Sequence, residues 1–317
     1  MTGLALALDI GATKIAGCLV DARGVVTEHR HAATQDVRRS GASPYADEIW
    51  AVIARMVGEL WAAAGGRVIG LGIGSAGPLD LVHGTASPVN IPQWRQFPVV
   101  ERVSELLPGV PVHLAGDGIC AAAGEHWRGG GADSQDMIAI LVSTGIGGRL
   151  VQGGRLIAGP TGNAGHVGHV IVDLNGALCG CGARGCVESM ASGPSMVTWA
   201  LANGWTPPSS VATAVSLAND ARTGNATVIA AFARSGRVLA AGIASVGAMC
   251  DLTDAVVGGG VGHAAADLLF PPLRTSLREY GSLPFLRRPA IRSAELGPRA
   301  GLLGAAAMVF DPETYQL

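Results

Sequence analysis

The sequence predicts a two-domain α/β fold with an interdomain cleft, on three observations. Apolar strand patterns alternate with amphipathic helix patterns, the alternation starts afresh near residue 137, and three of the strands run straight into glycine turns. A chain of 317 residues with 49% hydrophobic content has material for two ordinary cores.

LALALDI (4–10) has the pattern of a buried strand, turned by GATK into IAGCLV and by DARG into VVTEHR; three strands on two tight turns make a meander. PYADEIWAVIARMVGELWAAAGG follows, with Ile49, Val52, Ile53, Met56, Val57, Leu60 and Trp61 at helical spacing and glycines at its end. RVIGLGIG (67–74) and VPVHLAGD (110–117) are strands, and GICAAAGEHWRGG is a helix with a glycine cap. The second pass opens with MIAILVSTGIGG (137–148) and the strand RLVQGGRLIAG. Helices are expected around 193–203, 211–221 and 224–247, and a strand at 254–260. The halves are placed at 1–117, joined by a C-terminal helix of about 300–317, and at 118–299. No Pro/Ser-rich linker separates them, so the boundary is expected to act as a hinge.

Charge narrows the partners. The formal net charge of −2 comes without like-charge runs, which argues against nucleic acid and against a polybasic membrane contact. The N-terminus lacks a basic leader, and the apolar run at 238–250 is too short to span a bilayer and follows Arg234 and Arg237. A cytoplasmic protein with a small-molecule ligand is expected. Lys14 is the only lysine among 22 basic residues; either a GC-rich genome replaced the rest by arginine, or position 14 needs an ammonium.

Three turns suit phosphate: DIGATK (9–14), STGIGG (143–148) and VVGGGVG (256–262). Glycines let backbone N–H groups converge on an anion, and Thr13 or Thr144 adds a hydroxyl. Ordinary hairpins use the same residues, so the weight lies in three such turns, each after an apolar strand. GIGSAG (72–77) spells a dinucleotide motif, but Pro78, Leu79 and Asp80 follow where a helix must open. A Walker loop is excluded as well, because it needs adjacent glycine and lysine and the lysine here follows Thr13.

Half of the six cysteines crowd into residues 179–186. Cys179, Cys181 and Cys186 on consecutive tight turns, with His169 ten residues upstream, form a Cys3His set: a closed tetrahedral structural zinc site with no position for an activated water. A redox pair would more typically show CxxC at a helix start.

The series DIGATK, GIGSAGPLD, SPVN, the strand-end Gly116-Asp117, STGIGG, AGHVGH and CGCGARGCVES resembles the ROK family of sugar kinases, within the hexokinase–actin-like ATPase superfamily. The resemblance runs from residue 4 to about 193 and resumes at VVGGGVG and AGLLGAAAMVF. It implies the hexokinase/actin-like fold, ATP and Mg2+ as cofactors beside structural Zn2+, a sugar substrate and a homodimer. AGHVGH looks like the motif of the bacterial N-acetylmannosamine kinases, whereas glucokinases usually carry Glu at the position of His166.

The resemblance also assigns roles. Asp9 would orient Mg2+ through water, with Gly11, Thr13 and Lys14 in the first phosphate loop; Thr144 and Gly145 belong to the second, and Gly259 and Gly260 to the turn beside the nucleotide. Asn90, His166, His169 and Glu188 would face the sugar, and Asp117 would be the catalytic base. Taken without these motifs, Asp117 reads as a helix N-cap and His166 and Glu188 as solvated surface groups. In the zinc knuckle, one His169 nitrogen would bind metal and the other donate to the sugar, while Cys186 fixes the chain two residues before Glu188.

Three positions depart from the family pattern: Gly116 stands where Asn is usual, Ala12 replaces a loop glycine, and Arg149 replaces another. Loss of the Asn side chain removes a sugar hydrogen bond, which weakens binding, widens specificity or admits a water. Arg149 is expected either to reach phosphate or to cover a strand edge. Two other classes compare less well: a sugar-responsive repressor, disfavoured because the first loop starts at Asp9 and is expected to leave no room for a DNA-binding head, and a sugar-binding protein without catalysis.

Overall fold

The computed structural model describes residues 3–11, 14–33, 45–89, 91–160, 163–208, 211–280, 283–287 and 289–315. Thr13, Asn90 and Ala12 lie outside the described residues. The chain forms two compact units, Met1–Gly129 with Pro298–Leu317, and Gly130–Gly297.

The first unit opens with the expected meander: β1 (Leu4–Ile10), β2 (Lys14–Asp21) and β3 (Val26–Ala33) pair antiparallel. Helix α1 (Tyr45–Ala64) returns the chain to β4 (Val68–Ser75), parallel to β1. A short hairpin, β5 (Leu79–Asp80) and β6 (Thr85–Ala86), occupies the place where a dinucleotide fold would start its helix. Then come α2 (Val99–Leu106), β7 (Val112–Gly116) parallel to β4, and α3 (Asp117–Arg128). The sheet order is β3-β2-β1-β4-β7.

Alternation in β1 sorts its two faces. Leu4, Leu6 and Leu8 join the cluster with Ile49, Ile53, Met56 and Leu60 of α1. The small residues Ala5 and Ala7 leave the other face low, which matters for a helix described below.

The second unit repeats the sheet plan. β8 (Met137–Val142), β9 (Ile146–Gln152) and β10 (Arg155–Ile157) form a second antiparallel meander. A 3-10 turn at Val167–His169 leads into the cysteine knuckle, followed by α4 (Val187–Ala191), α5 (Gly193–Ala202), α6 (Ala214–Arg222) and α7 (Ala226–Cys250). β11 (Asp254–Gly258) lies parallel to β8 and runs into α8 (Gly259–Ala264) and α9 (Ala266–Glu279). β12 (Ala290–Ser293) completes the order β10-β9-β8-β11-β12. Helix α7 is long and apolar enough to cross a membrane by length and composition, yet Val228, Phe232, Leu239 and Ile243 on it belong to the core of this unit.

The chain then returns to the first unit through α10 (Ala300–Phe310) and α11 (Pro312–Tyr315), two helices where one of about 300–317 was expected. Helix α10 lies on the low face of the first sheet. A Cβ on Gly72 would collide with the Ala305 carbonyl, and one on Gly304 with the Cys120 carbonyl of α3, so both positions require glycine. Because α3 packs on α10, it falls in the first unit, and the division comes at Gly129 instead of 117. The Tyr315 hydroxyl, 2.8 Å from His126 Nδ1, ties the far end of α3 to the C-terminal segment.

Two strand ends differ from expectation. The strand expected over 110–117 stops at Gly116, with Asp117 as the first residue of α3, and the strand expected over 254–260 stops at Gly258. In both cases a glycine ends the strand and the next residue already takes helical hydrogen bonds, a switch that composition does not mark. Similarly, the helix expected from 211 begins at Ala214, behind the capping box of Thr213 and Ser216.

Candidate active site

In the first unit, parallel pairing of β1 with β4 and of β4 with β7 aligns the carboxyl ends of three strands. Asp9 is paired with Gly74, and Ser75 with Gly116, so Asp9 and Asp117 emerge at the same end of the sheet. That is where open α/β sheets bind ligands. The β1–β2 turn is closed by the Gly11 N–H donating to the Lys14 carbonyl at 3.0 Å. Asp9 is half-buried, with its carboxylate against Gly301 at the start of α10, where a Cβ would come within 3.1 Å of it. Burial first, then the charge of Asp117, pushes the Asp9 carboxyl up to about 6, against a smaller opposite pull from Lys14. Asp117 is exposed; its Oδ1 accepts from the Gly118 N–H at 2.7 Å, and the N-cap position of α3 belongs to Gly116.

Two neighbouring carboxylates, one half-buried, are an oxygen donor set of the kind that suits a hard divalent cation. Burial, and the repulsion of Asp117 after it, make the ionised form of Asp9 costly. The folded-state pKa of Asp9 lies above its ordinary value of 3.8, so the folded chain holds that proton more tightly and loses stability as pH rises through about 6. Asp9→Asn removes this cost. In metal-free buffer at pH 7.5 the variant is expected to melt about 3–6 °C above wild type, the gap closing toward pH 4 in thermal melts; a variant less stable than wild type at pH 7.5 contradicts the assignment.

In the second unit the β8–β9 turn and the end of β11 meet. The Ser143 N–H donates to the Gly145 carbonyl at 2.9 Å. Gly259 sits at φ 84° with its Cα against the Val142 backbone, so a side chain is excluded on both counts, and a Cβ on Gly260 would stand 3.4 Å from Ser143 Oγ. Thr144 and Gly260 line one cavity of about 510 Å³, whose other walls include Pro194, Val197, Ala214 and Ala218. Its size and apolar walls beside glycine turns suit a nucleotide base. These wall residues escaped sequence reading, because small apolar residues near helix starts look the same whether they line a cavity or a core.

The cysteine knuckle folds onto the same unit. His169 Nδ1 lies 3.8 Å from Cys179 Sγ, Cys181 Sγ lies 3.7 Å from Cys186 Sγ, and the four ligand atoms fall within 4.8 Å of one another. A Zn–S bond of about 2.3 Å sets tetrahedral ligand atoms about 3.8 Å apart, so the set fits zinc. Hydrogen bonds from Cys179 N–H to the Ala183 carbonyl (2.7 Å) and from Val187 N–H to the Val170 carbonyl (3.0 Å) hold the two turns. Burial and the neighbouring thiols push Cys186 up to about 12, a protonated thiol that bound zinc would convert to thiolate. Since Nδ1 of His169 faces the thiols, Nε2 is the nitrogen left for other partners.

Around the knuckle stand His166, Arg149 and Glu188. The His166 ring stacks on His169 at 5.3 Å between centroids and 10° between planes. Arg149 Nη1 lies 3.2 Å from His166 Nδ1. A guanidinium only donates, so Nδ1 accepts and the ring proton resides on Nε2. Burial, Arg149 and His169 hold His166 below its usual range, against Glu188, which favours protonation. Arg149 Nη1 also donates to the Gly148 carbonyl at 2.7 Å, so this one nitrogen is shared between His166 and the backbone. Glu188, in the first turn of α4, accepts the Ile146 N–H on Oε2 at 2.9 Å.

The sequence profile of the ROK family matches residues 5–311 of this chain. The chain belongs to the ROK family. This ROK protein is 34% identical over 304 residues to the N-acetylmannosamine kinase of Yersinia pestis, covering 96% of this chain and 97% of the relative. It is 31% identical over 325 residues to the glucokinase of Streptomyces coelicolor, covering 98% and 99%. Its fold matches the ROK hexokinase of Thermus thermophilus with a TM-score of 0.79 at 30% identity, over 96% of this chain and 97% of that one. It also matches the ROK glucokinase of Streptomyces griseus, solved with glucose and AMPPNP, with a TM-score of 0.72 at 33% identity over 96% and 99%. The ROK chain therefore has the hexokinase/actin-like ATPase fold and is an ATP-dependent sugar kinase by family.

Proposed function

We propose that the chain transfers the terminal phosphoryl group of ATP to the 6-hydroxyl of a hexose, with N-acetylmannosamine as the preferred acceptor. Asp117 accepts the hydroxyl proton as the bond from O6 to phosphorus forms and the bond to ADP breaks. The turns at Gly11, Thr13 and Lys14 and at Thr144 and Gly145 bind the phosphates, and Gly259 and Gly260 flank the nucleotide, Gly260 as part of the cavity wall in the second unit. Asp9 would orient Mg2+ through water, and the ion would supply charge neutralisation to the phosphates. Asn90, His166, His169 and Glu188 bind the sugar; zinc on His169, Cys179, Cys181 and Cys186 keeps two of them in place. The enzyme works in the cytoplasm as a homodimer.

One observation carries the choice of sugar: Arg149 occupies Nδ1 of His166, so that the ring offers an N–H donor. A donor matches the carbonyl oxygen of an N-acetyl group, whereas the carboxylate usual in glucokinases accepts only and matches a hydroxyl. The glucokinase relative at 31% identity keeps glucose as the second reading, and Gly116 in place of Asn keeps a sugar-binding protein without turnover as the third.

A purified-protein panel of N-acetylmannosamine, N-acetylglucosamine, mannose and glucose with coupled ADP detection tests the three. On the first reading, kcat/KM for N-acetylmannosamine exceeds that for glucose by at least about tenfold, the discrimination of one well-placed hydrogen bond, and His166→Glu narrows or inverts the ratio. Equal rates on both sugars defeat the specificity, and stoichiometric sugar binding without ADP release from any sugar favours the third reading.

A further inference from the structure

The second phosphate loop is gripped from both sides by the segment that carries the zinc ligands. On one side, Gly168, next to the ligand His169, lies so close to the Ile146 carbonyl that no Cβ fits between them. On the other, Cys186 is followed two residues later by Glu188, whose Oε2 takes the Ile146 N–H at 2.9 Å. The same oxygen leans over Gly145, where a Cβ would stand only 2.6 Å from it. Seven residues after Cys186, the Gly193 N–H at the start of α5 donates to the Ser143 carbonyl at 2.9 Å. Both ends of the turn 143–146 are thereby fastened to residues 186–193, and Ser195 Oγ, which donates to the Glu188 carbonyl at 3.1 Å, braces that stretch.

We infer that Glu188 is a positioning residue for the nucleotide's phosphate loop, and that zinc, by fixing Cys186 and so the first turn of α4, sets nucleotide affinity as well as the aim of the sugar-binding side chains. The inference rests on the kinase reading for the identity of the ligand. A carboxylate on a backbone N–H is a charge-assisted bond made to a single amide. Loss of it leaves the turn free to rotate its remaining amides away from a phosphate.

The test measures binding of the non-hydrolysable analogue AMPPNP with Mg2+ by calorimetry, without sugar, alongside hydrogen exchange of the peptide covering residues 143–150. Glu188→Ala, with zinc retained, is expected to bind AMPPNP about tenfold more weakly and to exchange faster in that peptide. Glu188→Gln keeps a carbonyl oxygen for the Ile146 N–H and is expected to stay within about threefold of wild type. Chelation of zinc from wild type reproduces the loss, and chelation from Glu188→Ala adds little to it. Wild-type affinity and exchange in zinc-loaded Glu188→Ala overturn the inference, and this arm stands even if the zinc-free chain unfolds. Failure of wild type itself to bind AMPPNP strikes instead at the kinase reading, while the exchange arm still reports whether Glu188 holds the loop.

Discussion

Asp117→Asn is expected to fold, to bind sugar as wild type does, and to lose turnover by about 10²–10⁴-fold, the range that a positioned general base supplies. The amide is isosteric with the carboxylate and its oxygen still accepts the Gly118 N–H, so the start of α3 is undisturbed. Helix α3 is held elsewhere, by the close glycine contact with α10 and by His126 on Tyr315, neither of which involves the side chain at 117. What disappears is the ability to accept a proton from the attacking hydroxyl. The loss should therefore fall on kcat with KM little changed, the signature of an interaction made in the transition state. Coupled ADP release gives kcat, and calorimetric sugar titration gives the ground-state affinity. A variant within about tenfold of wild-type kcat would remove Asp117 from the base role.

Cys181→Ser carries the second large effect. Cys181 is exposed, so the exchange of sulfur for oxygen opens no cavity, and any loss comes through the metal. A serine hydroxyl stays protonated and binds zinc poorly, which leaves three ligands where the closed site has four. Zinc content by mass spectrometry is expected to fall from one equivalent to near zero. Sugar affinity should drop by about 10–100-fold, the scale seen when groups that orient a metal site are lost. Cys250→Ser is the control: Cys250 lies outside the cluster and should leave both readings unchanged. A folded, zinc-free and fully active Cys181→Ser protein would show that the knuckle aims nothing.

Much of the architecture was legible because its signals are local. LALALDI with GATK, and MIAILV with STGIGG, each place a strand, a turn and the start of the next strand within about twelve residues, and the first meander forms as expected. The single strand expected over RLVQGGRLIAG is instead two, β9 and β10, folded back at Gly153 and Gly154, both at positive φ. The four groups that could hold a metal too sit within a short span, with GCG and GARG setting the turns between the cysteines. Elements without a local signal are absent from the expectations: β12, four residues long, is a strand only because β11 lies beside it, the β5–β6 hairpin has two residues on each side, and α9, fourteen residues long, carries Pro271 and Pro272 in its interior. The strands expected to reach 117 and 260 stop at Gly116 and Gly258, where glycine permits either continuation.

By itself, then, the sequence determined the α/β class, the glycine turns that end the strands and the grouping of one histidine with three cysteines in the knuckle, since each depends on residues near one another in the chain. Tertiary structure alone decided which side chains face each other across sheet and knuckle. Glu188 reaches an amide 42 residues away, Arg149 meets a histidine 17 residues on, and Asp9 feels the carboxylate of Asp117 across the one intervening strand, β4. The physical reason is that strand order and register set these distances, and both arise from the packing of the whole sheet, which no local pattern encodes.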